Sequence, residues 1–73
     1  MDYLVKREKF RRLASSRTNI ILKRLKILGN CANRSTYAYT EDEINKIFAE
    51  IERQIRNTKA NFYFPKEKKE FKL

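Results

Sequence analysis

Directly behind Thr40-Glu41-Asp42-Glu43, the residues Ile44, Ile47, Phe48, Ile51 and Ile55 recur at steps of three and four. A helix brings such a series onto one side, and an extended strand scatters it over both faces. The preceding residues supply a start signal. Thr40 fits an N-cap, Glu43 three places on completes a capping box, and Tyr39 and Ile44 are spaced as a hydrophobic staple. Three acids in the first turn also complement the positive end of the helix dipole. A helix over 40–60 is predicted.

The segment before it has a second period. With each residue 100° after the last, Phe10, Leu13, Ala14, Ile21, Leu25 and Leu28 fall on one arc, with Ile20 and Ile27 at its edge. A helix over 5–28 follows, and Gly29, just past the last apolar residue, is expected to stop it in the left-handed conformation. Eleven residues, 29–39, then connect the helices. Helix-to-helix connections usually take about two to eight, so a defined path through this loop is expected. Pro65 blocks helix continuation in the tail. One Gly and one Pro in 73 residues argue against a turn-rich β-sandwich or barrel. The expected fold is all-α: a two-helix hairpin over 1–61, with an extended charged and aromatic arm over 62–73.

The residue inventory removes whole classes of chemistry. The chain has no His, which excludes imidazole triads, proton shuttles and imidazole metal sites. Cys31 is the lone cysteine, so it can form neither an internal disulfide nor a cysteine-cluster metal site. With no neighbouring base, its thiol is not read as a nucleophile. No enzyme activity and no cofactor is expected. No apolar run approaches the roughly 18 residues of a membrane span, and no secretory leader is recognised. The expected location is an intracellular, reducing compartment, cytoplasm or organelle interior. Without a secretory context, the glycosylation-like Asn33-Arg34-Ser35 carries no weight.

Charge points toward a partner. Lys and Arg number 18 against 9 Asp and Glu, a formal net charge of +9. Residues 1–28 hold nine cations and two acids, whereas 40–60 are close to balanced. Opposite the apolar arc of the first helix, Arg12, Ser16, Asn19, Lys23 and Lys26 follow at steps of four, three, four and three, and Lys9 extends the series one turn earlier. Lys and Arg supply charge and Ser and Asn are small donors, the residue types that meet phosphates. An ordinary solvated face interleaves both signs, and this stripe contains no acid.

Arg17 and Arg24 fall inside the apolar arc. Burial there would demand an acidic partner, either Glu43, Glu50 or Glu52 of the second helix or an acidic group on another molecule. In the loop, Arg34 and Tyr37 combine a phosphate-pairing cation with a stacking ring. The alternative there is turn chemistry from Asn and Ser, with Tyr37 and Tyr39 covering the hairpin end. Phe62, Phe64, Phe71 and Leu73 would anchor the arm on a neighbour, unless the tail is a fraying terminus.

Arg17-Thr18-Asn19, Leu28-Gly29-Asn30, Asn33-Arg34-Ser35-x-Tyr37-x-Tyr39-Thr40 and Ile47-Phe48 together resemble small, functionally uncharacterised basic helical proteins of bacteria, their mobile elements and plastid-type genomes. The resemblance covers about residues 8–64 and implies no activity and no site residues. The Ile-, Lys- and Asn-rich composition suggests an AT-rich genome.

Two facing stripes leave about half of each helix wet, so burial does little more than offset the entropy of ordering. Completion by self-association or docking on a larger assembly is expected. The leading expectation is therefore a small basic accessory subunit that binds nucleic acid or a ribonucleoprotein through phosphate contacts. The alternatives are a protein-interaction subunit or inhibitor docking on an acidic protein, and an oligomer sequestering a phosphorylated small molecule.

Overall fold

The structure, a computed structural model, describes residues 2–65 and 73. The described residues contain two α-helices and one short 3-10 helix, and no strand. Helix α1 spans Tyr3–Gly29, the 3-10 helix spans Asn30–Ala32, and α2 spans Glu41–Lys59. The chain divides into two units, Met1–Ala38 and Tyr39–Leu73.

Helix α1 begins two residues earlier than the apolar period indicated. Asp2 is extended and caps it, its carboxylate accepting from the Leu4 amide at 3.1 Å. Its end also differs from expectation. Gly29 is right-handed, with φ −58° and ψ −25°, and no described residue has a positive φ. The chain does not turn out of the helix at the glycine. It tightens into the 3-10 turn, and the Asn30 amide donates back to the Ile27 and Leu28 carbonyls. The freedom of glycine is not used here, and a β-carbon at this position would meet nothing within 4 Å.

The loop beyond has the defined path its length required. Asn33 is extended, and its side-chain oxygen accepts from the Ser35 amide at 3.0 Å. Its carbonyl accepts from the Thr36 and Tyr37 amides at 3.1 and 2.9 Å. This is an Asx-type turn, in which a side chain replaces a backbone acceptor.

Helix α2 starts as its sequence directs. The Glu43 amide donates to Thr40 Oγ1 at 3.1 Å, and the Thr40 amide donates to Glu43 Oε1 at 2.9 Å, a reciprocal capping box. Two ion pairs lie along the helix, Lys46 with Asp42 and Arg53 with Glu50. At its end the Ala60 amide reaches the Arg56 and Thr58 carbonyls.

No described residue is buried. In the first unit Leu13, Ala14, Leu25 and Leu28 are half-covered, all of them members of the predicted arc; in the second, Tyr39, Ile44 and Ile51 are half-covered. The tail departs from helical structure after Lys59 and carries no regular structure over 63–65. The remainder of the expected arm, including Phe71, lies outside the described residues.

Candidate functional site

Every residue of the predicted basic face lies on one element. Lys9, Arg12, Ser16, Asn19, Lys23 and Lys26 all belong to α1 and all are exposed. The helix has no Pro and its single Gly is its last residue, so the series keeps one register from end to end. At about 1.5 Å per residue, the seventeen steps from Lys9 to Lys26 extend roughly 25 Å.

The electrostatics of α1 follow from how few acids it holds. Asp2 is occupied as the N-cap, and its first turn contains no acid. Glu8 is the one acid within the helix, and it lines a shallow open depression together with Leu4, Val5, Lys9 and Arg12. The face expected to be free of acids therefore has one at its N-terminal margin. Among the described residues no ion pair forms within α1, although Arg11 and Arg12 stand three and four places after Glu8.

Along the helix axis the cations are not evenly spread. Lys6, Arg7, Lys9, Arg11 and Arg12 crowd into residues 6–12, and Lys23, Arg24 and Lys26 into 23–26. Between them, Leu13 to Leu22 contribute Arg17 alone. This two-cluster arrangement was present in the sequence, but a reading by helical angle, which ignores position along the axis, passes over it.

Arg17 and Arg24 lie on α1 with the rest of the series. Both are exposed, so neither carries the cost of a buried guanidinium there. Two of the acids considered for them are engaged within α2: Glu43 closes the capping box and Glu50 holds Arg53.

Arg34 and Tyr37 both follow Asn33 in the Asx-turn loop, and both are exposed. In the tail, Phe62 is 55% and Phe64 83% exposed, with Tyr63 between them at 82%. These rings present apolar area to solvent. Cys31 is an exposed free thiol on the 3-10 helix.

Among the described residues, no group of three or more His, Cys, Asp or Glu is placed to hold a metal ion, and no helix is long and apolar enough to cross a membrane. Comparison with protein-family models, curated proteins and solved structures finds no match.

Proposed function

We propose that this chain is a small basic accessory subunit that binds nucleic acid, alone or within a ribonucleoprotein, through phosphate contacts made by α1. One observation carries the reading: nine cations are held in one 27-residue helix in which, among the described residues, no ion pair forms. Unneutralised cations in a fixed array release counterions when they meet phosphates, and that release drives sequence-independent binding. Lys9, Arg12, Lys23 and Lys26 make the contacts, Ser16 and Asn19 let the backbone approach, and Arg34 and Tyr37 add a loop contact. Catalysis has no part in this reading. The extended arm and an intracellular location belong to the same proposal.

Salt titration tests it. Four phosphate contacts predict that the logarithm of the affinity falls against the logarithm of salt concentration with a slope of about −3.6. Binding that is indifferent to salt between low and moderate concentrations contradicts the proposal.

A second reading, a protein-interaction subunit docking on an acidic partner, is favoured by α2. Its apolar stripe is open to solvent at Ile47 (39%), Phe48 (43%) and Ile55 (53%), and small amphipathic helices bind proteins through such faces. Affinity capture with and without nuclease separates the two readings, since only a nucleic-acid bridge is lost on digestion.

A further inference from the structure

The two cationic clusters of α1 are joined by an uninterrupted helix, so their separation is fixed. We propose that α1 lies across a groove of a double-stranded nucleic acid, with Lys9 and Arg12, the members of the first cluster on the basic face, on one phosphate row and Lys23 and Lys26 on the facing row. The inference rests on the phosphate-binding reading above and goes beyond it by naming the form of the nucleic acid and the mode of contact.

Three observations lead to it. The first is spacing. Arg12 and Lys23, the inner edges of the clusters, are eleven residues apart, about 16 Å along the axis. The major groove of B-form DNA is about 12 Å wide, and the minor groove only about 6 Å. A Lys or Arg side chain is long enough to lean over the difference between 16 and 12 Å and meet the backbone. In A-form RNA the corresponding opening is the wide, shallow minor groove.

The second is the content of the gap. On the basic face it holds Ser16 and Asn19, small, exposed and uncharged. These suit the span between phosphate rows, where a bulky or acidic side chain would hold the helix away from the groove.

The third is the absence of a stacking platform on that face. Single-strand binders pair a basic groove with aromatic rings on which bases stack. Lys9, Arg12, Ser16, Asn19, Lys23 and Lys26 include no ring, and Phe10 lies on the opposite arc. A rigid two-point array also gains most from a target whose charges are themselves at fixed separation, since the second contact then forms at high effective concentration.

The test alters spacing without altering charge. Inserting seven uncharged helix-forming residues between Asn19 and Ile20 keeps the clusters on nearly the same face and moves them apart by about 10 Å. The same seven residues inserted after Asn61 control for length. The full-length parent and both variants are titrated by fluorescence anisotropy against a labelled DNA duplex, the matching RNA duplex and each single strand.

The expected result is at least about a ten-fold loss of duplex affinity for the first insertion alone, with single-strand binding unchanged. Which duplex the parent prefers then identifies the groove. Equal duplex binding by parent and variant, or tighter binding to single strands, overturns the spanning mode and leaves phosphate binding intact. A parent that binds none of the four nucleic acids, while a polyglutamate chain does bind, overturns both the inference and the reading beneath it.

If the insertion lowers helicity by circular dichroism, the pairs K9Q/R12Q and K23Q/K26Q take its place. Each pair is expected to reduce the duplex salt slope by about 1.8. A reduction from only one pair overturns the proposal.

Discussion

The two helices illustrate different uses of the same secondary structure. Helix α2 has a reciprocal capping box, three acids in its first turn, two cations in its last, two local ion pairs and a narrow apolar stripe. Helix α1 is longer by eight residues yet has a single side-chain cap, no acid in its first turn and no internal ion pair among the described residues. Its apolar arc is broken by Arg17 and Arg24. Side chains that could have stabilised α1 instead carry unpaired positive charge. Among the described residues, α2 pairs charged side chains within itself and α1 does not.

That contrast can be broken at its strongest point. Ile51→Pro removes an internal hydrogen bond from α2 and drives a ring into the preceding turn, at a cost of about 3 kcal/mol or more. Amide exchange measured residue by residue in the full chain is expected to show loss of protection across Glu41–Lys59 and little change across Tyr3–Gly29. Equal loss in both helices would mean that they stand or fall together, and the contrast would fail.

A smaller effect is expected at the cap. Thr40→Ala deletes the hydroxyl that receives the Glu43 amide and should cost about 1 kcal/mol, visible as faster exchange in the first turn of α2. An unchanged first turn would mean that the acids and the dipole suffice to hold the start.

The smallest effect has the opposite sign. Gly29 is right-handed with open space where a β-carbon would sit, so Gly29→Ala should stabilise the end of α1 by about 0.4–1 kcal/mol, read as higher helicity on thermal melting. Destabilisation would restore the left-handed stop that the sequence pattern implied.

The legibility of the fold follows the same division. The capping box could be read because both partners lie within four residues and the rule is purely local. The start of α1 was equally local, in Asp2 before Tyr3-Leu4-Val5, but the apolar period begins later and drew the boundary to residue 5. Gly29 misled because a glycine after the last apolar residue permits a left-handed exit without compelling one. Asn30 and Cys31 are compatible with a further tight turn, and the chain takes it.

For Arg17 and Arg24 the helical angle alone leaves the partner open. It places them inside the apolar arc, which calls for an acidic partner only where that arc is covered. Both side chains are exposed. The residues of the basic face were legible by angle and their clustering by position, two independent coordinates of the same helix.

The hydrogen bonds described for caps, turns and side chains join residues no more than four apart. Such contacts require no distant loop to close before they form, so these elements assemble on the sub-microsecond to microsecond scale of helix–coil relaxation. Encounters at a partner's surface are slower than this at ordinary cellular concentrations. A turn that frays in either helix re-equilibrates on that same scale, well inside the interval between collisions.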